Sequence, residues 1–155
     1  DFKISDIDKI TIKGTKKMLS HHVINEPADI MQAQYSTPFC IAAGLVTDLS
    51  DPNNFNEELL TNHVIRKLVK KIDIGEHTIK PAHSWHANLA IKLFDGRKLE
   101  SKVTNFKGMP TNPLTEHDLV QKFLLLTKNL ENREKLLDSL LELETVDEIA
   151  TLPLH

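Results

Sequence analysis

The first regular pattern along the chain places Ile7, Ile10 and Ile12 against Lys9, Thr11 and Lys13. Alternation of apolar and polar positions predicts a strand with one buried face, ended by Gly14. The stretch through His21, His22, Asn25, Pro27 and Asp29 has no period and predicts a loop with at most one helical turn. A polar approach then meets an apolar run in Ala33-Gln34-Tyr35-Ser36-Thr37-Pro38-Phe39-Cys40-Ile41-Ala42-Ala43-Gly44-Leu45. Ser36 or Thr37 can cap a helix whose first residue is Pro38, since proline lacks the N–H that a helix start leaves unused. Ala42, Ala43 and Gly44 are small enough to let that helix pack close to a neighbour. The helix should stop before Ser50-Asp51-Pro52-Asn53-Asn54, a turn cluster.

From Asn56 to Lys71, Leu59, Leu60, Val64, Ile65, Leu68 and Val69 fall at three-to-four spacing and predict one or two amphipathic helices. Lys70 and Lys71 suit the negative end of the helix dipole. Ile72-Asp73-Ile74 opens another strand, with Pro81 as its far limit. The clearest element is a hairpin: Ala87, Leu89, Ile91 and Leu93 alternate with His86, Asn88 and Lys92, then turn at Asp95-Gly96 into Leu99, Ser101 and Val103. A two-residue Asp-Gly loop predicts a type I′ turn, which needs positive φ at both residues.

After a loop from Gly108 to Pro113, Thr115 and Asp118 form a capping-box pair, and Leu114 can staple against Leu119. One helix then carries Leu119, Val120, Phe123 and Leu126, and a second carries Leu136, Leu137, Leu140 and Leu141. Thr145 and Glu148 suggest a cap for a last short turn. The predicted class is α+β: a small antiparallel sheet with packed helices over residues 1–114, and C-terminal helices over 115–155 that continue the same domain or pack on another. Strand order beyond the hairpin is left open.

Composition narrows the function classes. At 155 residues the chain can bury a core of its own, and it contains no apolar run of about 18 residues that could span a bilayer. Nineteen basic residues against 22 acidic ones give a net charge of −3, which offers no general attraction for nucleic acid. Lys67, Lys70 and Lys71 read as a solvated helix face. A single cysteine rules out an internal disulfide and points to a reducing, cytoplasmic setting.

Candidate chemistry is sparse. Ser36 and Thr37 lack a GxSxG surround, so helix capping is their first reading. Cys40, near a helix start, could have a lowered thiol pKa, but Ile41 and Ala42 beside it favour a buried, inert thiol. His21-His22 and His83-Ser84-Trp85-His86 lack the one-turn helical spacing of a zinc site, so no metal is expected. Trp85 reads as a core or interdomain anchor. Gly108 permits a sharp turn, and Lys107 beside it could reach an anion or simply be solvated.

The stretch "AQYSTPFCIAAGL" resembles the "AxFSxPYxxAxAL" element of the MmgE/PrpD family, which includes 2-methylcitrate dehydratases, cis-aconitate decarboxylases and iminodisuccinate epimerases. Further pieces follow in that family's order: Phe94-Asp95-Gly96-Arg97 at its "DG" hairpin, Lys107 to Thr115 resembling "xGxPxNPLS", and Leu119 to Phe123 resembling "ELxxKF". The resemblance covers roughly the whole chain. It implies the smaller α+β lid of a cofactor-independent lyase or isomerase acting on di- and tricarboxylic acids. The catalytic groups of such enzymes belong mainly to a larger helical domain, and none is matched here.

The family also implies substrate-adjacent roles for Ser36, Thr37, Phe39, Lys107 and Gly108. Phe39 stands where the family often has tyrosine, so the phenolic hydroxyl is missing. A lid that exposes its inner surface is expected to form a homo-oligomer, with Leu136, Leu140 and Leu141 at or near the contact. Two other readings are a free-standing α+β protein-interaction module and a small histidine-dependent metal protein.

Overall fold

The computed structural model describes residues 1–76, 86–145, 148, 150 and 152. Strand β1 (Ile7–Gly14) leads into helices α1 (Lys16–His21), α2 (Ile30–Tyr35), α3 (Thr37–Gly44), α4 (Glu57–Thr61) and α5 (His63–Val69). Strands β2 (Ile72–Glu76), β3 (Ala87–Leu93) and β4 (Lys98–Val103) follow, then helices α6 (Glu116–Leu126) and α7 (Arg133–Leu141). The strands form one sheet in the order β2-β1-β3-β4.

The α+β class is as the sequence predicts, but the sheet is mixed. β1 pairs antiparallel with β3 and parallel with β2. The parallel pair follows from the connection: between β1 and β2 the chain passes through five helices and re-enters the sheet in the same direction, a crossover that a tight turn could not make.

Ile7 and Ile10 are three apart, an odd spacing that a straight strand would send to opposite faces, yet both are fully buried. The pairing with β3 slips between Ile7 and Lys9, so that Ile7 stands opposite Leu93 and Ile10 opposite Ile91. One extra residue in β1 thus returns Ile7 to the apolar face. Against that face lies a core of Phe39, Ala42 and Ala43 from α3, Leu59 and Leu60 from α4, and Ile65, Leu68 and Val69 from α5.

Residues 56–71 make two helices, each with its own asparagine cap. Asn56 accepts from the Leu59 N–H at 2.9 Å, and Asn62 from Val64 at 2.9 Å and Ile65 at 3.3 Å. The aperiodic loop holds more helix than its pattern predicts: α1, and α2 capped by Asp29, which accepts from Gln32 at 2.7 Å. Six residues are too few to establish a helical period, and Asp29 is the local signal that marks the start.

The hairpin turn differs from the two-residue prediction. Among the described residues only Gly96 and Gly108 have positive φ, 88° and 92°, so Asp95 is not left-handed. The Gly96 N–H donates to Leu93 O at 3.0 Å and the Leu93 N–H to Arg97 O at 2.9 Å. This is a three-residue loop, Phe94-Asp95-Gly96, of the kind in which a turn without positive φ is followed by a left-handed glycine. Asp95 holds it from the side, accepting from the Arg97 N–H at 2.9 Å and from Arg97 Nε at 2.7 Å.

The chain divides into two units, Asp1–Phe106 and Lys107–His155, which groups the Gly108 loop with the helices after it. In the second unit α6 packs on α7, and Leu136 of α7 is buried. Leu140 and Leu141 are exposed, so of the three leucines expected at a contact Leu136 is already covered. Thr145 closes a short turn by donating its hydroxyl to Glu142 O at 2.8 Å. The final capped turn predicted beyond it, like Pro81, His83 and Trp85, falls wholly or partly outside the described residues.

Candidate functional site

The start of α3 is built around Ser36, the cap. Its hydroxyl accepts from the Phe39 N–H at 3.0 Å and donates to Ile24 O, and the residue is fully buried. Thr37 is the first helical residue and Pro38 the second. The Thr37 N–H donates to His22 O at 2.8 Å, Pro38 has none to give, and the Cys40 N–H donates to Ser36 O at 2.9 Å. Every main-chain donor of this first turn is therefore occupied within the chain, and the Ser36 hydroxyl is spent on both sides. The Thr37 hydroxyl, half-buried, is the polar group at this helix start that has no partner among the described residues.

Phe39 is 1% exposed and forms part of the core. Its edge reaches a surface recess of about 290 Å3 that Glu26, Arg66 and Lys70 also line. Arg66 Nε donates to Leu60 O at 3.1 Å, which fixes the guanidinium at the rim. Of the two cations beside Phe39, Lys70 reads in the sequence as a helix-end charge on a solvated face, and Arg66 is not singled out there. Only the approach of the 25–27 loop to α5 makes a recess of them.

Cys40 is half-buried, and its thiol donates to Ala33 O at 3.4 Å and Gln34 O at 3.5 Å. Burial pushes the thiol pKa up, so the helix start does not activate it. Gly44, expected at a close approach, is exposed. A Cβ there would stand 3.8 Å from Leu49 Cδ1, in ordinary contact, so the close packing of α3 rests on Ala42 and Ala43.

In the second unit Lys107 is ion-paired with Asp118, the N3 residue of α6. Asp118 also accepts from the Thr115 N–H at 2.9 Å and the Thr115 hydroxyl at 2.7 Å, while the Asp118 N–H donates to Thr115 Oγ1 at 3.2 Å. The Lys107 ammonium and the two Thr115 donors hold the Asp118 carboxyl well below the usual carboxylate range. Gly108 turns the loop with φ 92°, and its N–H donates to Asn112 O at 2.8 Å. Of the residues tied to substrate by resemblance, Ser36, Thr37 and Phe39 thus stand together on the first unit, and Lys107 and Gly108 on the second.

His21 and His22 have local partners. His21 shares a hydrogen bond of 2.7 Å with Ser20, and His22 Nδ1 lies 3.2 Å from Tyr35 O with its ring stacked on the Tyr35 ring. Among the described residues no group of three or more metal-ligating side chains comes together, and no helix is long and apolar enough to cross a membrane.

No curated protein gives a significant match to this chain. The family model of the MmgE/PrpD C-terminal domain matches residues 1–143, a span that runs from β1 through α7 and takes in both the α3 start and the Gly108 loop. The chain belongs to the MmgE/PrpD C-terminal domain family.

Proposed function

We propose that this domain is the lid of a 2-methylcitrate dehydratase-like lyase or isomerase, acting on a small di- or tricarboxylic acid held against a separate helical domain. The observation that supports the reading is the family match over residues 1–143. Proton abstraction, the heart of such chemistry, is left to the helical domain, and the lid supplies closure and exclusion of water. No cofactor is required by this scheme.

Within the lid the roles divide by exposure. Ser36 and Phe39 act as frame: the serine caps α3, and the phenyl ring floors the recess below Arg66 and Lys70. Thr37 offers a hydroxyl to substrate. Lys107 offers a cation that a substrate carboxylate must win from Asp118, and Gly108 sets the backbone that carries it. The setting is cytoplasmic. Exposed Leu140 and Leu141 favour self-association of the uncovered domain.

One preparation tests both parts. The purified chain is expected to sediment as more than one copy and to leave 2-methylcitrate and cis-aconitate unconverted. Turnover that a histidine substitution in this chain abolishes would contradict the division of labour. A monodisperse monomer at high concentration would favour a free-standing interaction module.

A further inference from the structure

Helices α3 to α5 and the apolar side chains of β1 and β3 share one face of the sheet; the other face carries lysines in ordered rows. Register sets Lys9, Lys92 and Lys98 side by side in one row. Each of these three has its own carboxylate: Lys9 pairs with Asp73 at 2.9 Å, Lys92 with Asp8 at 2.9 Å, and Lys98 with Glu100. The row Gly75-Lys13-Asn88-Lys102 is different. It holds two lysines and no acid, and neither lysine has an ion pair among the described residues.

Between them Asn88 has a buried side-chain oxygen with no hydrogen-bond partner among the described residues. A buried polar atom left unpaired costs free energy, so this one marks a place where a partner is missing. Thr11 and Ala90 make a low floor beside it, and these residues line a trough of about 480 Å3 together with Glu100, whose carboxylate is already neutralised by its ion pair with Lys98. Strands lie roughly 4.8 Å apart, so the Lys13 and Lys102 backbones flank Asn88 at about 10 Å from each other. That is wide enough to spare the two ammonium groups strong repulsion, and long side chains can close on one small anion.

We propose that this row is a binding site for a small polyanion with a protonated oxygen, the chemistry shared by hydroxy-polycarboxylates and phosphates. Lys13 and Lys102 take the negative groups, and the protonated oxygen donates to the Asn88 amide oxygen. Charge-assisted bonds to two lysines supply the affinity, and the amide supplies the preference for a hydroxyl. The site lies apart from the α3 start and does not depend on the function proposed above.

Titration of the 15N-labelled chain with citrate, with tricarballylate, which lacks the hydroxyl, and with inorganic phosphate reads this site amide by amide. Saturable shifts are expected at 11–14, 87–90 and 101–103, with citrate tighter than tricarballylate. Shifts at 36–40 would report the α3 start instead and are scored separately. The double variant Lys13→Gln, Lys102→Gln should weaken binding roughly tenfold or more, Asn88→Leu should erase the difference between citrate and tricarballylate, and Lys92→Gln should change little.

Citrate binding over phosphate assigns the carboxylate source; phosphate binding over citrate assigns the phosphate source. Absence of saturable shifts in the row with all three probes would overturn the proposal. So would an equal loss in Lys92→Gln, which would mean a diffuse basic face. The Gln changes are at exposed positions, and the amide spectrum itself verifies that each variant is folded.

Discussion

Single residues in this domain are mostly engaged in holding the backbone rather than in chemistry. Ser36 is the clearest case, because its hydroxyl both receives and donates within the chain and is closed to solvent. Cys40 is another, its thiol hydrogen-bonded to two carbonyls and kept protonated by burial. Gly44 contributes least: it ends α3 without positive φ and without a tight neighbour. Gly44→Ala is therefore expected to stabilise the domain by about 0.4–1 kcal/mol, chiefly by restricting the unfolded chain. Urea denaturation checks this, and a destabilised variant would show that the exposed end of α3 is constrained by something other than these neighbours.

At the scale of elements, the hairpin and the start of α6 carry the sharpest expectations. Gly96→Val should cost about 1 kcal/mol or more, because the three-residue loop needs φ of 88° at that one position. An unchanged urea midpoint would mean that the loop rearranges without penalty. Acid should act on the turns and caps. Asp118 is held low by Lys107 and Thr115, Asp95 by the Arg97 N–H and side chain, Asp73 by Lys9, and Asp48 by Ser50.

A depressed folded-state pKa contributes stability that is fully present above the unfolded value, near pH 3.9, and is lost as pH falls through the folded value. The urea midpoint should thus be flat above about pH 5 and fall below about pH 4, less steeply in high salt for the lysine and arginine pairs. A midpoint held constant down to about pH 3 would contradict the assignment.

The sequence made the β1 strand, the α5 helix, the hairpin strands and the Thr115 cap legible, because each rests on contacts close along the chain. What it hid depends on contacts far apart. The parallel β1–β2 pair, the slip at Ile7, and the recess that joins Arg66 and Lys70 to Phe39 all arise from where the crossover brings the chain. The Asp-Gly dipeptide announced a turn, but a two-residue turn at Asp95-Gly96 leaves Phe94 outside the loop, so the loop was read one residue too short. The candidate site was visible through family resemblance in its residues. It was not visible in its exposure: the motif contains Ser36 and Thr37 alike, and only packing decides which hydroxyl is free.

The first unit is a sheet with helices α3 to α5 and its core on one face and rows of lysines on the other; the second is a helical unit with Leu140 and Leu141 exposed. On the function proposed above for this member of the MmgE/PrpD C-terminal domain family, the domain is a lid, and a lid acts only against a base. The most direct measurement is the coding sequence immediately upstream of Asp1. A continuous reading frame encoding a helix-rich segment of a few hundred residues is the predicted result. An initiation codon close to Asp1, with an in-frame stop before it, would contradict the lid and leave a free-standing domain.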